Sequence, residues 1–563
     1  MRAKHAAGFG TAELLFGLST AILVVVVAVP MLLIFFNAIW VNGAPNIGDV
    51  FRVLSNEDTY EALANTLFLG IGVTITGTIV GTFFAWLVTR TDLPFKKTMK
   101  LMFLVPFMLP AFIGALAWKM LLSPRAGYVN RFWMDILGFD SPLFDIYSYA
   151  GIILIETMYL FPFVFIQVSG ALERMDPTLE ESARISGASL FTITRKITIP
   201  LIMPSIVSGA LLICLYSMAS FGVVAVLGME VGIFNIPTLI YEKIHSSAGS
   251  FASIRVATVL SMVLVVTAAI ILWAQNKVLS RGKYQIIAGK SFRPTELKLG
   301  KLRLPLLIFS FAYIFVTIVV PTVTIFLVGG LKTYGLPIAL ENMSWHNYRY
   351  ILFDWYLTRD AIWNSVSLGL SSALITMFCG VIISYVVVKM KVRGKGFLEF
   401  LGMLPFSLPG SVIALGVILA WSGKFGINIY NTVWIILVAY IARYMAFSLK
   451  ANSAALEQVH DSLIEAARAS GATMAQSLRD IVIPLVRPGM VAAFFLIFLP
   501  ALRELTVSVL LYGPTTRTIG VAIYTLNEDG ETVYSAALAG IALIIIVVGE
   551  ILVKRLVTGK TAQ

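Results

Sequence analysis

The chain has 563 residues, of which 58% are hydrophobic and only 13% charged, with a mean hydropathy of +0.88. Water-facing domains carry roughly 25% charged residues, so too few polar groups are present to coat a soluble surface, and lipid must be the main solvent. The net charge of +12, which in a soluble protein would suggest nucleic acid, here fits cytoplasmic loops facing an anionic leaflet. Cys214 and Cys379 lie far apart inside apolar segments. They suggest neither a disulfide framework nor a cysteine metal site.

A bilayer core needs about 20 apolar residues per helical crossing. Twelve such stretches are predicted, at 15–38, 62–89, 101–122, 149–172, 201–228, 256–278, 303–330, 363–388, 398–421, 431–449, 486–512 and 535–553. Each is expected to be helical, because every backbone polar group in lipid must be satisfied internally. The first is too long for a signal-peptide core and is read as a retained span. With Arg2 and Lys4 placed inside, the inward loops hold 29 Lys and Arg and the outward loops 9. That bias predicts cytoplasmic N- and C-termini. The expected fold is all-α and polytopic, with about twelve transmembrane helices in two parallel six-span repeats.

The two halves, 1–300 and 301–563, repeat one another. Asn65-Thr66-Leu67 with Gly81 matches Asn364-Ser365-Val366 with Gly380, and PFMLP from Pro106 matches PFSLP from Pro405, all at an offset of 299. Downstream the offset becomes 284, because the first half has a longer external loop. The basic stretch 277–303 reads as a cytoplasmic linker between halves.

The strongest motif lies in the loop after the fourth span of each half, near 177–204 and 461–488. The copies read EESARISGASLFTITRKITIPLIMP and IEAARASGATMAQSLRDIVIPLVRP. Glu181, Ala183, Arg184, Gly187 and Pro200 align with Glu465, Ala467, Arg468, Gly471 and Pro484. Each copy predicts a short helix starting near Pro177 or Asp461, with Glu in its first turns where the helix dipole favours an anion. A small Ser-Gly-Ala step follows, permitting close approach by another surface. A second amphipathic stretch then leads to Ile-Pro, where proline can open the next membrane helix. This stiff elbow suits docking into a groove on a soluble partner.

Both copies resemble the EAA loop of ABC importer permeases, departing at Ser182 in the first copy and with Ile in place of Leu before the final proline in both. The resemblance implies a coupling helix seated in an ABC ATPase homodimer on the cytoplasmic side, with the residues above making the contact. It implies a periplasmic substrate-binding protein on the other side and a bacterial inner-membrane location. The chain holds no complete P-loop, since Tyr284 stands where Gly289-Lys290-Ser291 would need its first glycine. It is therefore expected to bind no cofactor and to be no enzyme, with ATP and Mg used by the partner and no role for nucleic acid.

The fused architecture and the string RELTVSVLLYG from Arg503 resemble the ferric iron importer permeases most, in a branch that also includes thiamine and 2-aminoethylphosphonate permeases. A secondary transporter is the alternative from another class, but it would not need two such loops. Charges at lipid depth are functional candidates. Arg503 and Glu504 in the eleventh span are the clearest, as translocation-path residues or as a pair that satisfies itself. Glu156, Arg255 and Arg443 are weaker candidates. His5, His245, His346 and His460 are too scattered to suggest a metal site. External segments 229–255 and 331–362 are candidates for docking the binding protein.

Overall fold

The computed structural model describes residues 11–41, 43–176, 178–245, 251–281 and 296–558. Pro177, most of the basic linker and the Gly289-Lys290-Ser291 fragment fall outside these residues, as do Arg2, Lys4 and His5.

The first half runs through α1 (Glu13–Ile39), α2 (Glu57–Arg90), the bent pair α3 (Lys96–Met108) and α4 (Ala111–Leu122), and a second bent pair, α5 (Tyr149–Leu160) and α6 (Pro162–Arg174). It continues with the short α7 (Thr178–Ile185), α8 (Phe191–Met218), α9 (Ile236–His245) and α10 (Ser253–Val278). The second half repeats this order, without a break between its fourth-span segments. It comprises α11 (Gly300–Gly329), α12 (Tyr356–Lys389), the bent pair α13 (Lys395–Ser407) and α14 (Gly410–Trp421), and α15 (Val433–Glu457). There follow α16 (Asp461–Ala469), α17 (Met474–Leu502), α18 (Ile519–Glu528) and α19 (Thr532–Leu552). Among the described residues nine helices are long and apolar enough to cross a membrane, and the three bent pairs raise the number to twelve.

The predicted spans 101–122 and 398–421 are not straight. They break by 91° and 118° inside the repeated PFMLP and PFSLP strings. The cause is local: a residue before proline is pushed out of the helical region. Leu109 and Leu408 adopt extended ψ values of 144° and 135° ahead of Pro110 and Pro409. The fifth and eleventh spans also stop early. Helix α8 ends at Met218 and is followed by a short helix, Gly222–Leu227, while α17 ends at Leu502 ahead of Ser508–Leu511.

Proline acts differently at the other end of those spans. Ile-Pro does not open a new helix at Pro200 or Pro484. Each sits in a continuous helix, just after a single π turn over Thr194–Thr198 or Leu478–Val482. Pro30 and Pro321 follow π turns in the same way. Proline lacks an N–H and its ring clashes with the carbonyl four residues back, and the widened turn accommodates both defects.

Each half has a tight helical triad, α2–α6–α8 in the first and α12–α15–α17 in the second. Small residues let the backbones meet, as expected where lipid offers no hydrophobic drive for association. The equivalent Gly81 and Gly380 show this. A Cβ on Gly81 would lie 2.8 Å from the Phe161 carbonyl oxygen, and one on Gly380 would overlap Ser448. The first span of each half crosses to the other: α1 packs on α14, and α11 packs on α4.

The repeated Asn-Thr and Asn-Ser pairs also acquire a role. Asn65 donates to the Phe234 carbonyl at 2.9 Å, and Asn364 to those of Thr515 and Arg517 at 3.1 and 3.0 Å. The Thr66 and Ser365 hydroxyls accept from the first amides of α9 and α18, Ile236 and Ile519, at 2.9 and 2.8 Å. Equivalent residues of α2 and α12 thus pin equivalent short helices.

Candidate functional site: coupling elbows and a central cavity

Two regions gather the residues singled out above. The first is the pair of elbows. Helices α7 and α16 carry Glu181 and Glu465 on their flanks, and Glu180 and Glu181 both fall in the first turn of α7. Arg184, Glu465 and Arg468 are exposed, whereas Ala183 and Ala467 are half-buried. Pro200 and Pro484 are exposed within the continuous helices α8 and α17. Gly187 and Gly471 sit just past the helices with φ of +82° and +92°. Gly187 donates to the Arg184 carbonyl and Ala188 to that of Ala183, both at 3.0 Å, and Gly471 and Ala472 repeat this pattern. These glycines thus close each helix through a left-handed cap that a side chain would strain. Nothing lies within 4 Å of where a Cβ would sit on either. Two large apolar side chains stand out beside Gly187, with Ile185 89% and Phe191 72% exposed.

Sequence reasoning missed what anchors the elbows. Arg90, 1% exposed at the end of α2, lies 3.6 Å from Glu180, which also accepts from the Thr198 hydroxyl at 2.6 Å. In the second half Lys389, at the end of α12, donates to Asp461 and to the Val459 carbonyl, both at 2.6 Å. Arg90 and Lys389 are equivalent at the offset of 299, and that match was the available signal. The first elbow gains a further tie. Leu297, within the linker, pairs by backbone with Arg90 and Asp92.

The second region is a cavity of about 640 Å³ between the halves, lined by both proline breaks and by the broken ends of α8 and α17. Its wall is mostly apolar and aromatic, with Glu156, Arg443, Arg503, Glu504 and Glu550 as its charges. Arg503 and Glu504 lie in the break after α17 rather than within a helix, and they do not pair with each other. Glu504, 7% exposed, forms an ion pair with Arg443 at 3.1 Å and accepts from the Tyr444 hydroxyl at 3.0 Å and from the Val507 amide at 2.9 Å. The counter-ion of Glu504 is therefore Arg443. Arg503 reaches across to the first half and donates to the Phe107 carbonyl at 3.1 Å and to that of Met108. Freed backbone groups in a broken span can serve a polar path in this way.

Glu156 is buried on α5 and accepts from Ser217. Arg255 is not part of the cavity and pairs with Asp49 instead. His245 lies on α9, His346 in the segment after α11, and His460 caps α16. Among the described residues no three His, Cys, Asp or Glu side chains converge as a metal site.

Known proteins give this geometry a context. The family described as "Binding-protein-dependent transport system inner membrane component" matches the chain twice, over residues 77–280 and 376–561. The ferric transport system permease protein FbpB of Actinobacillus pleuropneumoniae is 28% identical over 526 residues, covering 91% of this chain and 73% of the relative. The Fe(3+)-transport system permease protein FbpB 2 of Haemophilus influenzae is 27% identical, covering 92% and 93%. A relative from Salmonella paratyphi A, named for 2-aminoethylphosphonate transport (PhnV), is 30% identical over 202 residues, covering 35% of this chain and 76% of the relative. Two matches that together exceed half the chain, each holding one elbow and one broken span, make this protein a fused, two-half member of the binding-protein-dependent transport system inner-membrane family, a multi-pass ABC importer permease.

Proposed function

We propose that this permease imports ferric iron into the cytoplasm of a bacterium by alternating access at the central cavity. The carrying observation is that relatives covering nine-tenths of the chain are named for ferric transport. In this reading α7 and α16 seat in an ABC ATPase homodimer, which uses ATP and Mg, while this chain binds no cofactor. Exposed Ile185 and Phe191 beside the capped glycines offer the apolar contact such a partner needs. A periplasmic binding protein docks outside, at 229–255 and 331–362, and both termini lie in the cytoplasm.

Movement of the elbows would reach the cavity through α8 and α17, which run without interruption from elbow to broken end. Arg443 and Glu504 form a polar bridge at that end, and Arg503 ties it to the opposite half. The test is uptake of radiolabelled iron by cells lacking other iron importers, with and without this chain and its neighbouring ATPase. Iron uptake that is unchanged by loss of this chain would sink the proposal. One observation favours a second reading. Two guanidinium groups on the cavity wall, Arg443 and Arg503, suit a phosphonate anion. Growth on 2-aminoethylphosphonate that depends on this chain would select that reading.

A further inference from the structure

On the side of the cavity away from the elbows, the two halves meet at α9 and α18. Both helices have ten residues. Tyr241 and Tyr524 are equivalent, as are His245 and Glu528, at an offset of 283. The tyrosine rings cross at 6.0 Å, and each packs on Phe221, at 5.3 and 5.8 Å. Phe221 also lines the cavity. Glu528 bridges the seam, accepting from Tyr524 at 2.7 Å and from Tyr241 at 3.4 Å. The His245 ring lies 4.3 Å from that of Tyr241.

We propose that Tyr241, Tyr524 and Glu528 form an acceptor site for a small, hard, highly charged cation at the seam of α9 and α18, behind Phe221 of the cavity wall. This rests on the ferric reading above. Phenolate and carboxylate are anionic oxygen donors, the type hard cations select. A small six-coordinate cation bound at about 2.0–2.1 Å holds neighbouring oxygens about 2.9 Å apart. The Tyr524 and Glu528 oxygens already stand near that spacing. The remaining positions would be filled by water or by a chelator carried by the ion.

In the structure both phenol hydroxyls hydrogen-bond to Glu528, which closes the seam. Binding would release the two phenolic protons to water and break both hydrogen bonds. The same event that loads the site would therefore unlatch α9 from α18. Lys119, which reaches Asn527 beside Glu528, is already paired with Glu230 and adds little opposing charge.

The test adds ferric nitrilotriacetate to the full-length chain in lipid nanodiscs and reads visible absorption. Iron bound by tyrosinate gives a phenolate-to-iron charge-transfer band. The expected result is a band in the wild type that is lost in the Tyr241→Phe/Tyr524→Phe double variant and weakened in Glu528→Gln. The phenylalanine variants keep the ring packing on Phe221, and a circular-dichroism melt confirms the fold. A band that survives the double variant overturns the site, and so does the absence of a band in the wild type. Iron uptake by cells is measured in parallel. Intact uptake without a band removes this site alone, whereas absent uptake removes the ferric reading.

Discussion

Where the second half sets Arg443 against Glu504, the first half has Tyr159 and Ser220 at the equivalent positions. Where the first half buries Arg90 against Glu180, the second has Lys389 facing an Asp461 whose side chain is 70% exposed. Backbone architecture is shared, yet each half spends its ionic contacts at a different end. The first buries its elbow pair, whereas the second leaves its elbow pair partly exposed and adds an ion pair at the cavity. Duplication preserved the helix breaks and caps, which depend on proline and glycine, and let the charges diverge. A single substrate on a pseudo-twofold axis meets unlike walls, and a symmetric partner meets elbows of unequal stiffness.

Four experiments probe this contrast, in order of expected effect. Arg90→Met should strand the Glu180 carboxylate and lower stability by about 3–5 kcal/mol, the usual cost of breaking a buried pair. Adding Glu180→Gln should recover most of that loss in thermal unfolding of the purified protein. Lys389→Met should cost much less, and equal losses would erase the proposed difference between elbows.

Second, Arg443→Tyr should destabilise by about 2–3 kcal/mol, less than a fully dry pair, because its side chain is 25% exposed to the cavity. The double change Arg443→Tyr with Glu504→Ser makes the second half resemble the first. It should restore melting temperature while uptake stays reduced. Recovery of both would leave this bridge a scaffold only. Arg503→Gln should fail to rescue Glu504→Gln, because Arg503 binds carbonyls of the other half.

Third, Gly187→Ala and Gly471→Ala should each cost about 1 kcal/mol through left-handed strain, with equal effect in the two halves. Asn tolerates that conformation better, so Gly→Asn should retain more stability than Gly→Ala. Pull-down with the ATPase separates backbone strain from blocked docking. If Asn weakens association as strongly as Asp, close approach by the partner governs the site.

The smallest effect concerns pH. Lys389 holds the Asp461 carboxyl below its ordinary range. A depressed carboxylate contributes stability above its unfolded pKa and loses that contribution as pH falls through the lower folded value. Acid melting curves of the wild type should therefore steepen below about pH 4, and Lys389→Met should flatten them.

Much of this molecule was legible in its sequence. Hydropathy located the crossings, and two constant offsets revealed the repeat. The motif strings placed both elbows, and α7 and α16 stand there. What escaped was direction and partnership. Hydropathy averages composition over a window and is blind to a turn of 91° or 118° within it, although the prolines that cause the turn were in view. Arg503 looked like the partner of Glu504 because it is adjacent in sequence. The actual partner, Arg443, lies 61 positions away, and only the packing of α15 beside the broken end of α17 brings it close. Arg90 and Glu180 were hidden for the same reason, and so was the seam of α9 and α18.

The crossed packing of first spans also sets a timetable for synthesis. Helix α1 is made at the outset, yet α14, against which it packs, begins about 370 residues after α1 ends. At about 5–20 residues per second, α1 must wait roughly 20–70 s for that partner. During the interval its future interface faces lipid or the insertion machinery. This interface therefore closes late, and a chain stalled before α14 would leave the first span with α10 and α12 to pack on but without α14. Translation speed across the middle of the chain thus becomes a determinant of how much permease assembles correctly.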